Sequence, residues 1–259
     1  LFVAALFLQP ANHLHALQRV GLVVAHRDKQ RPILGNQPLG LGKAFAVQVA
    51  VGAWRGRAQQ LVGLLGGSLV ALFLANALRL ALALKTFPVA MRAAGVPDLD
   101  LPDDDWQAFN LGPAASIALL ERWQQWLAAQ EPPDRQRWRA RVEGQRIEQL
   151  GLVEFFSRHP PLPVPQVLAP VTAHYSWSKG LKLLGLGREQ LRLLPVRGMR
   201  LDAAGLEQVL EECERERQPV LMAVAVLGST EYGTGDPVDA VGGGRDAALA
   251  RGLGFGVHV

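Results

Sequence analysis

From residue 160 onward, short apolar runs alternate with amphipathic stretches, and this alternation restricts the possible folds more than any other feature of the chain. Residues 220–227 (VLMAVAVL) are uninterrupted apolar, the pattern of a strand covered on both faces. Residues 167–172 and 191–196 also read as strands, although Pro170 removes one ladder donor from the first. Between them, residues 176–184 predict a short helix closed by Gly185. Asp202 can cap a helix running through Glu216, with Leu206, Val209, Leu210 and Cys213 as its apolar stripe. Residues 245–251 read as helical, and residues 254–259 (GFGVHV) begin another buried strand. Strand and helix alternating at this spacing predict an α/β fold with a mostly parallel sheet and flanking helices.

The segment before residue 160 reads as helical. Residues 77–94 are rich in Leu and Ala until Gly95-Val96-Pro97 stops them. Residues 103–105, three aspartates, form a polar connection. Residues 117–129 predict an amphipathic helix carrying Leu119, Leu120, Trp123, Trp126 and Leu127, ended by Pro132-Pro133. A charged helix is expected from about residue 134 to residue 157, with Trp138, Val142, Ile147 and Leu150 inward. Trp106, Trp123, Trp126 and Trp138 are expected in the core. The proline-rich residues 160–165 cannot be helical.

Charge separates the chain into two parts. Residues 1–76 carry seven Lys/Arg and one acid, Asp28, whereas residues 77–259 carry twenty basic and twenty-two acidic residues. The body of the chain therefore lacks the clustered cations that a nucleic-acid partner requires. A single cysteine, Cys213, excludes an internal disulfide framework and a thiolate zinc site, and fits a reducing, cytoplasmic setting. Residues 1–76 show no sustained helical or strand period. Residues 1–8 (LFVAALFL) resemble the apolar part of a signal peptide but have no basic segment before them. Gly40-Leu41-Gly42-Lys43 fails the phosphate-loop pattern, since Gln37 and Ala44 stand where glycine and Ser/Thr are needed. His13, His15 and His26 have no acidic or cysteine companions beyond Asp28, so no metal site is expected. Residues 61–78 hold eighteen residues without a charge, at the short limit of a membrane span, and a buried helix is the simpler reading.

In parallel α/β sheets, ligands sit beyond the carboxyl ends of the strands. His174 follows the strand at 167–172, and Gly228-Ser229-Thr230 follows the strand at 220–227. A histidine presented beside a hydroxyl pair can hold an aromatic cofactor by stacking and hydrogen bonding; taken alone, a strand-end histidine equally fits a loop residue with one backbone partner.

Three ordered motifs add to this pattern: residues 173–179 (AHYSWSK), residues 224–231 (VAVLGSTE) followed by Gly233 and Gly235-Asp236-Pro237, and the final Val257-His258-Val259. Together with Arg200-Leu201-Asp202 and residues 84–88 (LKTFP), they resemble the group II pyridoxal-phosphate-dependent amino-acid decarboxylases, over residues 77–259. The resemblance implies an incomplete aspartate-aminotransferase-type (fold type I) domain, pyridoxal 5'-phosphate as cofactor, an L-amino acid as substrate and a homodimer in the intact enzyme. It places His174 on the face of the pyridoxal ring, as the catalytic and cofactor-binding histidine, and Ser229 and Thr230 in the hydroxyl turn beside the cofactor. It gives Asp236 a supporting role and makes Lys179 something other than the cofactor-linking lysine.

The family's strand continues past its His-Val pair with the aspartate that meets the pyridine nitrogen, and its cofactor-linking lysine lies further along; neither is among these 259 residues. Gly66-Gly67-Ser68 and Ala75-Asn76 echo the family's upstream turns at distances from Lys85 that do not fit. The expectation is therefore a non-family segment over residues 1–76 and an inactive portion of a decarboxylase over residues 77–259, with an unpaired sheet edge at residues 254–259. The competing expectation is a non-catalytic, membrane-associated protein anchored by residues 61–78.

Overall fold

The structure, a computed structural model, describes residues 69–228 and 233–259. The expectations for residues 1–68, including the glycine-lysine segment and three histidines, lie outside the described residues. So does the first part of the 61–78 run.

Five helices come first: α1 (Leu69–Ala94), α2 (Asp105–Phe109), α3 (Pro113–Ala128), α4 (Pro132–Glu143) and α5 (Ile147–Arg158). The remainder alternates: β1 (Gln166–Pro170), α6 (Ser176–Leu184), β2 (Leu191–Leu194), β3 (Val196–Arg197), β4 (Arg200–Leu201), α7 (Ala203–Arg215), β5 (Val220–Val224), α8 (Val238–Ala250) and β6 (Gly256–His258).

The four longer strands form one parallel sheet in the order β2-β1-β5-β6. In β1 side chains alternate across it as the two-residue strand period requires, whereas a register shift at Leu221 breaks the alternation in β5. Val167, Ala169, Leu221 and Val224 join one core with Leu74, Leu78 and Leu82 of α1, Phe155 of α5 and Leu181 of α6. Leu168, Val220, Ala223 and Ala225 join the other with Leu206 and Leu210 of α7, Val241 and Ala248 of α8. Thus α6 covers one face of the sheet and α7 and α8 the other. A smaller helical cluster joins Phe87 and Met91 of α1 to Leu119, Trp123 and Leu127 of α3 and to Val142 of α4.

Local chemistry sets the helix limits. Pro113 begins α3 at a position where its missing N–H costs nothing, so the helix starts earlier than the apolar stripe alone predicts. Asp104 caps α2 by accepting a 2.7 Å bond from the Gln107 amide, which makes part of the expected polar connection a helix start. The single charged helix expected over 134–157 is instead two, α4 and α5, parted by a turn at residues 144–146. Gly151, at φ 78°, kinks α5 further. Gly185 closes α6 in the left-handed conformation at φ 81°, as expected.

The 191–196 strand also divides. Pro195 ends β2, and Val196 pairs antiparallel with Leu201 in a two-residue hairpin turning on Gly198 and Met199, both at positive φ. Among the tryptophans, Trp123 is buried and Trp106, Trp126 and Trp138 are partly buried against the core. Outside the sheet, Asp105 accepts a 2.9 Å bond from Arg92 and pairs at 2.8 Å with the buried His159, tying α1, α2 and the end of α5. Partial burial pushes the Asp105 carboxyl up, but its bonds to His159 and Arg92 outweigh that and hold it below its ordinary pKa.

Helix α1 is long and apolar enough to cross a membrane by length and composition. Its inner face, Ala71, Leu74, Leu78 and Leu82, is buried, while Leu69, Leu72, Phe73 and Leu80 are exposed.

Candidate functional site

The chain leaves β1 to build α6 and β2 on one side of β1, and leaves β5 to build α8 and β6 on the other. The crevice between the carboxyl ends of β1 and β5 is therefore a topological switch point, where α/β sheets bind ligands. Two segments leave the sheet at this edge: residues 171–175, and the excursion 227–236.

After β1, the Ala173 amide donates to the Pro170 carbonyl at 2.9 Å and turns the chain sharply into α6. His174 is exposed at this turn. Its Nδ1 accepts a 3.3 Å bond from the Ser176 amide, one of the N–H groups at the start of α6 that lack helical partners. The Tyr175 ring lies against the imidazole with centroids 4.1 Å apart and planes tilted by 41°. Lys179, one turn on, sits 4.5 Å from the Tyr175 centroid. A cavity of about 390 Å³ opens here, with His174, Tyr175, Trp177, Ser178, Arg188 and Glu189 on its wall. That volume is within the range of small-molecule sites.

Trp177 reaches across the same edge. Its ring meets His258, at the end of β6, edge-on at 5.1 Å and 78°. Burial pushes the His258 imidazole below its ordinary pKa. Sequence reading placed residues 257–259 in a motif but gave neither Trp177 nor His258 a place in the site, because nothing local joins two residues more than eighty positions apart.

After β5, the excursion is closed at its neck. Leu227 bridges Gly235, and the Gly228 amide donates to the Thr234 carbonyl at 3.1 Å. Asp236 fastens it: Oδ2 accepts from the Val226 amide at 2.7 Å and Oδ1 from the Leu201 amide at 2.8 Å. The Asp236 amide in turn donates to the Val226 carbonyl at 2.8 Å, and Thr234 Oγ1 donates to the Met199 carbonyl at 2.9 Å. Asp236 is buried, and these contacts join the excursion to the β3–β4 hairpin. Ser229 and Thr230 lie outside the described residues. The structure thus brings His174 and the base of the hydroxyl turn to one sheet edge.

Away from this edge, Lys85 of α1 is 5% exposed and donates to the Gly254 carbonyl, with its Nζ 4.7 Å from the Phe109 ring centroid. Among the described residues no carboxylate pairs with it, and burial pushes its amine down to about 7. Gly254 precedes β6, and a Cβ there would stand 2.8 Å from the Gly112 amide nitrogen, so only glycine lets the two segments meet. Sequence reading placed Lys85 in a helix and in the family-like residues 84–88, but gave it no role in the site. Among the described residues, no group of His, Cys, Asp and Glu could hold a metal ion.

No family model matches the chain. An L-tyrosine decarboxylase of Enterococcus faecalis is 30% identical over 177 residues, which cover 68% of this chain and 25% of that enzyme. A probable L-aspartate decarboxylase of Haloarcula marismortui is 36% identical over 77 residues, covering 30% of this chain and 19% of that protein. Among solved structures, mouse CSAD in its apo form aligns at a TM-score of 0.33 and 30% identity, covering 39% of this chain and 23% of that one. The chain spans about a quarter of the length of the tyrosine decarboxylases it matches.

Proposed function

We infer that this chain, a relative of the group II amino-acid decarboxylases over about a quarter of their length, supplies the histidine side of a pyridoxal-phosphate pocket in an enzyme that decarboxylates an L-amino acid. The single observation that supports it most is the position of His174 and the excursion fixed by Asp236, on either side of the β1/β5 switch point.

The residues present fit part of such a cofactor. When bound, pyridoxal phosphate supplies an electron sink for the charge left as carbon dioxide departs. His174 would cover one face of its ring, held in place by Tyr175 and the start of α6. Arg188 and Glu189 place opposite charges on the cavity wall, and Trp177, which also lines it, meets His258 edge-on. By the resemblance, the hydroxyls of Ser229 and Thr230 would donate to the cofactor. The last lysine of the 259 residues is Lys182, on α6 well before β5 and β6, and no carboxylate follows Asp246. A polypeptide of these residues alone therefore binds the cofactor weakly and does not decarboxylate. In the intact enzyme, which we take to be a cytoplasmic homodimer, the rest of the chain completes the site.

Family sequence is proposed to begin near residue 77. The 177 matched residues come close to the length from there to residue 259, and residues 1–76 differ in charge balance. Helix α1 already begins at Leu69, so its first two turns would be replaceable.

The test is titration of the purified chain with pyridoxal phosphate, read by quenching of tryptophan fluorescence. Quenching that saturates in the wild type and is lost in His174→Ala supports the reading. Equal quenching in both would overturn it. Borohydride after loading should fix no cofactor at a single lysine, and no carbon dioxide should be released from any amino acid.

A second reading rests on α1, with its length, its apolar composition and its exposed Leu69, Leu72, Phe73 and Leu80. It makes the chain a non-catalytic, membrane-associated protein. Such a chain would remain in the membrane pellet after a high-salt wash; release into the supernatant would dismiss it.

A further inference from the structure

We propose that Tyr175 and the backbone amide of Ser176 are positioning groups that hold His174 as its Nε2–H tautomer with one ring face left for a flat ligand. The inference rests on the pocket proposed above only for the identity of that ligand. The geometry itself is independent of it.

A neutral imidazole has one nitrogen that donates and one that accepts. The Ser176 amide donates to Nδ1 at 3.3 Å, so Nδ1 is the accepting nitrogen and the ring proton is on Nε2. Nδ1 is thereby occupied, as an acceptor for an N–H group at the start of α6 that has no helical partner. Among the described residues, Nε2 has no hydrogen-bond partner, which leaves it as a donor to the ligand. Tyr175 determines which face is open. Its ring covers one side of the imidazole at 4.1 Å and 41°, and the Lys179 ammonium lies 4.5 Å from the Tyr175 centroid, a cation–ring contact that steadies it. The ligand must therefore be planar, to cover the remaining face, and must bring a hydrogen-bond acceptor to the Nε2 edge. A ring with an acceptor substituent meets both demands; a flexible aliphatic chain meets neither.

The experiment is heteronuclear magnetic resonance on the full chain labelled with ¹⁵N-histidine, well above the ordinary histidine pKa so that the rings are neutral. The six histidines give separate correlation patterns, and His174 is identified by the one lost in His174→Gln. The expected pattern has Nδ1 unprotonated and Nε2 protonated. A protonated Nδ1, or equal averaging of the two nitrogens, would overturn the proposal.

Tyr175 is half exposed, so its replacement leaves the core untouched. Tyr175→Phe, which keeps the ring, should preserve both the pattern and the affinity for pyridoxal phosphate. Tyr175→Ala should bring the two nitrogen shifts toward each other and weaken affinity by about fivefold, the scale of a lost aromatic pair. An alanine variant with the wild-type tautomer and wild-type affinity would remove Tyr175 from the role. If the wild-type chain binds no pyridoxal phosphate at all, the functional reading fails, and the nitrogen shifts alone still decide the tautomer.

Discussion

Lys85 and Cys213 are titratable groups the core has taken from water, and each makes a prediction. Lys85 is bonded to the Gly254 carbonyl and the Phe109 face, with no carboxylate beside it. Its amine titrates near 7 when folded, against an ordinary 10.5 when unfolded. Between those values the unfolded chain binds the extra proton, so stability rises as pH climbs from about 7 toward 10.5 and is lowest at or below 7. Urea midpoints across that range should climb accordingly. Lys85→Met should flatten the climb and raise stability at neutral pH by on the order of 3 kcal/mol. A midpoint insensitive to pH in the wild type would contradict the burial of the amine. Cys213 lies fully buried on α7, and its thiol is pushed up to about 11, chiefly by burial. Because the chain has one cysteine, thiol labelling is a clean clock for opening of the α7 face. Labelling should be slow in buffer and speed up in step with urea unfolding. Neither position was marked by its neighbours in sequence: a lysine in a Leu/Ala helix and a cysteine in an apolar stripe look ordinary until something packs over them.

At the scale of elements, the hairpin and the excursion after β5 are one unit. Asp236 satisfies two buried amides, at Leu201 and Val226, from a single carboxylate. Asp236→Ala leaves both donors without partners and should cost about 2–4 kcal/mol in denaturant unfolding, with faster amide exchange at Leu201 and Val226 before elsewhere. The hairpin holds Met199 at φ 59°, a region where a Cβ is strained. Met199→Gly should relieve that strain and stabilise the chain by about 1 kcal/mol, read as a higher thermal midpoint. The same contacts explain why the apolar run 220–227 is longer than the strand it makes. Ala225 still donates to the His258 carbonyl at 2.9 Å, but Val226 is taken by Asp236 and the chain turns away. Helix α6 and its Gly185 cap were legible because start, stripe and stop are all local. The division of 134–157 into α4 and α5 was not, because the apolar positions keep a helical spacing through the glycine that ends the first helix.

Among the described residues, the parallel sheet has β2 at one edge and β6 at the other, and β6 is only three residues long. Outer backbone groups on an edge strand are templates for another chain. The isolated polypeptide should therefore self-associate as its concentration rises, seen as a growing sedimentation coefficient. A species unchanged over a hundredfold range of concentration would mean that the edges are adequately guarded by their brevity.

Sequence alone decided the alternation, the burial of residues 220–225 though not of Leu227, the local stops at Gly95 and Gly185 and the resemblance to decarboxylases, since each depends on residues near one another in the chain. Tertiary structure alone decided strand order, and with it the switch point that puts His174 beside the Gly228 excursion. It also decided which nitrogen of His174 accepts, why Asp236 is buried and why Lys85 meets a backbone carbonyl. Those depend on segments up to about 170 residues apart being packed together, and local propensity carries no information about which surfaces will meet.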